Sequence, residues 1–163
     1  MNLEQALRDL EQFRGGVVDT SSLIYLRKLS LLTRVSSCYR LLLPHQVARE
    51  YGRPLPPGLV MVQAGTLTAD QAVSALAGEL AMAVISEDKG VLKAARAQGL
   101  VHFNTLMLLL ALYRHGHCGL EALLASQQQL REFARYGPLI WGFAESLLEQ
   151  LRPFTESGAK TIC

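Results

Sequence analysis

The sequence predicts an α/β fold, a three-layer α/β/α arrangement with a central, mostly parallel sheet and a helical C-terminal extension. Three observations lead there. Short apolar runs such as Val17-Val18, Leu41-Leu42-Leu43 and Met82-Ala83-Val84-Ile85 have the length and continuity of strands buried on both faces. Between them lie longer stretches whose apolar residues recur at helical spacing. The alternation holds over about residues 16–115, which implies parallel pairing through right-handed crossovers, and after Gly116 the pattern is helical only.

Taken in order, Leu3, Leu7, Leu10 and Phe13 keep helical spacing, and Gly15-Gly16 is expected to end that helix before the strand Val17-Val18. Asp19-Thr20-Ser21-Ser22 is a cluster of N-cap residue types. Leu23, Ile24, Leu26, Leu29 and Leu32 continue at helical spacing behind it. Leu41-Leu42-Leu43 is the second strand, and Pro44 opens a helix through Val47 and Glu50 that Gly52 can terminate. The prolines of Arg53-Pro54-Leu55-Pro56-Pro57-Gly58 exclude a helix and place a loop before Leu59-Val60-Met61-Val62, an expected edge strand. Thr68 and Gln71 have capping-box spacing ahead of a helix to about Leu80. Met82 to Ile85 is the next strand, Ser86-Glu87-Asp88 begins a helix to about Gln98, Leu100 to Phe103 is the last strand, and Asn104-Thr105 starts a Leu-rich helix. Gly137-Pro138 breaks the helical tail, which is expected to pack on one side of the sheet.

Composition narrows the class. The 163 residues are 50% hydrophobic and 18% charged, with 16 Lys+Arg against 14 Asp+Glu and a net charge of +2. A disordered chain would be poorer in aliphatics, and a DNA-coating protein would carry a far larger basic excess. The length suits one domain spanning 1–152: an N-terminal helix over 1–15, the α/β core over 16–115 and the helical extension over 116–152, followed by a flexible tail over 153–163. Cys38, Cys118 and Cys163 are odd in number and lie far apart. They indicate neither a disulfide framework nor a zinc knuckle, so a reducing cytoplasm is expected. Leu106 to Leu112 is too short for the ~20 residues of a membrane span, and the first residues do not resemble a signal peptide.

Ligands of open parallel sheets bind beyond the carboxyl ends of the strands. Asp19 follows Val17-Val18 directly, Asp88 follows Ile85 after two residues, Glu50 sits on the helix after Leu41-Leu43, and Asp70 lies in the first turn of the helix leading back into the strand at Ile85. Taken singly, Asp19 could cap a helix, and Asp70 and Asp88 could be first-turn acids favoured by the helix dipole by ~0.3–1 kcal/mol. Glu50 faces the unfavourable end of its helix dipole and calls for a partner, either Arg49, Arg53 or a cation. Taken together, carboxylates gathered at one sheet edge raise each other's pKa, a cost that a divalent cation removes. Oxygen-only ligands suit Mg²⁺ or Mn²⁺, and such a site favours metal-dependent phosphodiester hydrolysis.

The order of these motifs resembles the PIN domain family of metal-dependent ribonucleases. Val17-Val18-Asp19-Thr20-Ser21-Ser22-Leu23-Ile24-Tyr25-Leu26 resembles that family's first strand and leading acid. Leu43-Pro44-His45-Gln46-Val47-Ala48-Arg49-Glu50 resembles its apolar-Pro-x-x-Val-x-x-Glu helix. Leu67-Thr68-Ala69-Asp70-Gln71-Ala72 resembles the third acidic helix, Ala83-Val84-Ile85-Ser86-Glu87-Asp88-Lys89 the Thr-x-Asp strand end, and Phe103-Asn104-Thr105-Leu106 the stretch after the last strand. The likeness covers about residues 16–115, and the tail is similar to the extension of one bacterial and archaeal branch.

The resemblance implies a single-strand-directed endoribonuclease with Asp19, Glu50, Asp70 and Asp88 as the catalytic, metal-binding quartet. Ser21 and Thr105 would be hydroxyl contributors, and Glu87 competes with Asp88 for the fourth position. It also implies the toxin half of a toxin–antitoxin pair, with a homodimer and an antitoxin protein as expected partners. Arg27, Lys28, Lys89, Lys93 and Arg96 are candidate contacts to RNA phosphates, with solvated helix surface as the alternative. The rival reading is a catalytically inactive module of the same fold that acts through protein partners. His115-Gly116-His117-Cys118 reads as a capping loop rather than a zinc site. No G-x-G-x-x-G follows the first strand, and Ser21 stands where a phosphatase of the haloacid dehalogenase type would carry a second Asp.

Overall fold

The computed structural model describes residues 2–156. Its elements alternate as expected: α1 (Leu3–Gln12), β1 (Gly15–Val18), α2 (Thr20–Lys28), α3 (Leu32–Cys38), β2 (Arg40–Pro44), α4 (His45–Tyr51), β3 (Leu59–Val62), α5 (Ala69–Leu80), β4 (Ala83–Ile85), α6 (Lys89–Ala97), β5 (His102–Phe103), α7 (Thr105–Arg114), α8 (Leu120–Phe133) and α9 (Pro138–Glu156). The described residues divide into two compact units, one of residues 14–105 and one of residues 2–13 with 106–156. The boundary puts nearly all of α7 with the helical unit. None of the helices among the described residues is long and apolar enough to cross a membrane.

The unit of residues 14–105 is α/β, a five-stranded, all-parallel sheet flanked by helices in the manner of a three-layer α/β/α fold. The strand order is β3-β2-β1-β4-β5. Chain progress runs outward from β1 through β2 to the edge strand β3, then crosses back to β4 on the other side of β1. The reversal lies between β1 and β4, where open α/β sheets form their ligand crevice. Val17, Val18, Leu41, Leu43, Val84 and Ile85 are fully buried or nearly so, which accounts for strands that are apolar at successive positions rather than alternating ones.

Gly15 and Gly16, expected to end the first helix, instead begin β1 and pair with Arg40, Leu41 and Ala83. A Cβ on Gly16 would lie 2.7 Å from the carbonyl oxygen of Ala83, and one on Gly15 would run into the carbonyl of Arg40. The central strand is admitted between its neighbours because its first two residues carry no side chain. The helical periodicity from Leu23 to Leu32 also resolves into two helices. Ser30 adopts φ 58, and Leu31 N–H donates to the carbonyl of Leu26, which closes α2 before α3 opens.

In the helical unit, Arg114 of α7 pairs with Glu11 of α1 at 2.9 Å, and a ring nitrogen of His115 lies 3.2 Å from the carbonyl oxygen of Glu11. Arg131 of α8 pairs with Glu145 of α9 at 3.4 Å and stacks over the Trp141 ring at 3.8 Å. Gly116 leaves α7 with φ 74, so residues 115–118 form a turn. Helix α9 continues to Glu156, past residue 152, after which the tail was expected to begin. The rest of that expected tail, residues 157–163, lies outside the described residues.

Candidate active site

Asp19 is the first residue beyond β1. Its N–H donates to the carbonyl of Ile85 at 2.8 Å, which carries the ladder one step past the strand, and its side chain caps α2. The residue is only 3% exposed. Oδ1 accepts from Thr20 N–H at 2.8 Å, and Oδ2 accepts from Ser86 Oγ at 2.8 Å and from Ser21 Oγ at 3.4 Å. Val18 stands opposite Ile85 in the parallel register, so Asp19 and Ser86 occupy the next step and meet by construction. Ser86 Oγ in turn accepts from Asp88 N–H at 3.0 Å. Asp88 caps α6, its Oδ1 accepting from Val91 N–H at 3.0 Å. The two capping roles coexist with placement at the sheet's switch point.

Glu50 and Asp70 arrive from other elements. Helix α4 starts directly after Pro44 and stops at Gly52, whose φ of 65 ends it one residue after Tyr51, leaving Glu50 exposed in its last turn. Helix α5 opens with the capping box Thr68–Gln71, which sets Asp70 in its first turn. Asp19, Glu50, Asp70 and Asp88 then line one cavity of about 320 Å³, together with Ser21, Thr68 and Ala69. Four acids separated by up to 69 positions in sequence share a single concavity.

The electrostatics are unfavourable for the bare protein. Burial pushes the Asp19 carboxyl above its ordinary value; the hydrogen bonds from Ser86 and Thr20 oppose this, and the negative charges of Asp70 and Glu50 reinforce it. Among the described residues the ion pairs are Arg8–Glu4, Arg114–Glu11 and Arg131–Glu145, and none involves the four acids. Neither Arg49 nor Arg53 pairs with Glu50. No Lys or Arg lines the cavity.

The remaining expected residues are distributed differently. Ser21 lines the cavity, while Glu87 and Thr105 do not. Glu87 Oε1 accepts from Ser22 Oγ at 3.0 Å, from Thr105 N–H at 2.7 Å and from the Thr105 hydroxyl. Its own N–H donates to Ser21 Oγ at 3.0 Å. Glu87 thus ties the starts of three segments together, and Asp88 alone of the adjacent pair faces the cavity. Arg27 and Lys28 fall in the last turn of α2, Lys89 opens α6, and Lys93 and Arg96 follow on it; all five are exposed and none lines the cavity. Thr68 and Ala69 join the wall without having been expected there. Their signal was adjacency to Asp70 at a helix start. Ser86 becomes visible only once the β1–β4 register is known.

A divalent cation fits the donor chemistry: four carboxylates and two hydroxyls, all hard oxygens, in a space far larger than one water requires. Among the described residues, however, no three His, Cys, Asp or Glu side chains are placed so as to hold one ion together. No protein-family model, curated protein or solved structure matches the chain.

Proposed function

We propose that this cavity hydrolyses phosphodiester bonds of single-stranded RNA with a divalent cation, Mg²⁺ or Mn²⁺, held by Asp19, Glu50, Asp70 and Asp88. The observation that carries the reading is the lining of one cavity by four acids from four chain segments, none of them in an ion pair among the described residues. The motif order that resembles PIN domain ribonucleases supports the same chemistry. Bound there, the cation would lower the pKa of a water and offset charge developing on the phosphodiester. Asp19 contributes a carboxylate held at both oxygens by Thr20 and Ser86, so little reorganisation accompanies binding. Ser21 and Thr68 present hydroxyls to the same space. Arg27, Lys28, Lys89, Lys93 and Arg96 are the proposed contacts to flanking phosphates. A homodimer and an antitoxin protein as partners complete the proposal, which places the protein in the cytoplasm.

One observation favours a second reading, a PIN-like binding module without catalysis: no three of these side chains are placed to hold one ion among the described residues. The two are separated by incubating the protein with labelled single-stranded RNA in Mn²⁺, in EDTA, and as Asp19→Asn. Cleavage in Mn²⁺ that EDTA and the substitution both abolish supports the nuclease. Cleavage indifferent to both, or none on any RNA alongside tight binding of a protein partner, overturns it.

A further inference from the structure

We propose that Gln46 is a positioning residue: by gripping the segment that leads into α5, it fixes where Thr68 and Asp70 stand relative to Glu50. The inference rests on reading the cavity as a divalent-cation site. Gln46 Nε2 donates toward three backbone carbonyls, those of Ala64 and Gly65 at 3.2 Å each and that of Leu67 at 3.1 Å. With the amide reversed, Oε1 would face three oxygens instead, so the nitrogen must point at the segment. Oε1 is buried without a partner among the described residues, a cost that accompanies this grip.

The placement of Gln46 gives the grip its consequence. Gln46 and Glu50 are one turn apart on the same face of α4. Leu67, whose carbonyl Gln46 holds, directly precedes Thr68, which both caps α5 and lines the cavity, and Asp70 follows two residues later. Gln46 thus adds a side-chain tie between the helix of Glu50 and the residues that open α5, beside the packing of α5 on α4 and the sheet. Between the β3 ladder and the α5 cap, the connecting residues are exposed or half-buried. Residues 63–68 include no charged side chain, so no ion pair can hold this connection. Gly65, Thr66 and Leu67 are exposed, and a Cβ added to Gly65 would meet nothing within 4 Å.

The test uses the full chain as Gln46→Met, which keeps the length of the side chain and removes its donors, and as Gln46→Glu, which keeps its shape and presents only acceptors. Amide exchange is followed at Thr68, Gln71 and Ala72, which bond within the α5 cap, and Mn²⁺ affinity is measured by titration. Both variants should exchange faster at these amides with β1 and β4 protection unchanged, and should bind Mn²⁺ roughly tenfold more weakly, the lower end of what losing an outer tie costs a metal site. Unchanged exchange overturns the grip, and faster exchange with unchanged Mn²⁺ affinity overturns its positioning role. If the unsubstituted protein binds no Mn²⁺, the cation reading fails on its own, the positioning role falls with it, and exchange at the α5 cap alone decides whether the grip exists.

Discussion

At Asp19 the fold and the proposed chemistry pull in opposite directions. Burial raises its carboxyl pKa above the ordinary value of an aspartate, so the folded state keeps the proton to a higher pH than the unfolded chain does. The stability contributed by the neutral acid is full below the unfolded value and is lost as pH rises through the folded one. In EDTA, Asp19→Asn should therefore melt at a higher temperature than the unsubstituted protein at pH 7, an advantage that disappears as pH falls toward 3.8; thermal melts across pH measure it. Saturating Mn²⁺ should reverse the order, because only the carboxylate gains a cation. Glu87 predicts the opposite behaviour, since Ser22 and Thr105 lose their shared acceptor in Glu87→Ala. That variant should lose about 2–3 kcal/mol in denaturant unfolding, while Glu87→Gln, which retains an acceptor oxygen, should lose under about 1 kcal/mol. Glu87 and its neighbour Asp88 are indistinguishable in sequence: both follow β4, and the partners that separate them lie at positions 22 and 105 for Glu87 and at 86 and 91 for Asp88.

Among the elements, the strands were legible because burial on both faces writes them as unbroken apolar runs, and α5 because Thr68 and Gln71 sit at capping-box spacing. Thr68→Ala should cost about 1 kcal/mol by removing that cap. A larger loss in Mn²⁺ than in EDTA would come from its place on the cavity wall; both are read from paired melts. Two boundaries were not legible, each for a physical reason. Gly15 and Gly16 carry the local signal of a helix stop, yet the close approach of the Arg40 and Ala83 backbones makes them the only residues that fit there. Gly16→Ala should accordingly destabilise by about 3 kcal/mol or more, since backbone rather than a flexible side chain must yield. At Ser30 the apolar spacing continues undisturbed through a left-handed residue, so periodicity alone joined α2 to α3.

For the whole molecule, a ligand that binds only the folded state stabilises it by about 2.7 kcal/mol at a concentration 100-fold above its dissociation constant. Mn²⁺ should raise the melting temperature in a concentration-dependent manner, and each of Glu50→Gln, Asp70→Asn and Asp88→Asn should shift the response to higher concentration. Equal responses in all four proteins would remove the cavity from the account. The strand order also governs when the cavity can exist. Asp19 precedes β2 and β3 in the chain, but its Oδ2 partner Ser86 and the Ile85 carbonyl beyond β1 belong to the stretch that follows the return across the sheet from β3. A nascent chain that has passed Asp70 holds three of the four acids and no enclosed site. If the cavity acts on RNA as proposed, that activity would be withheld until β4 pairs with β1.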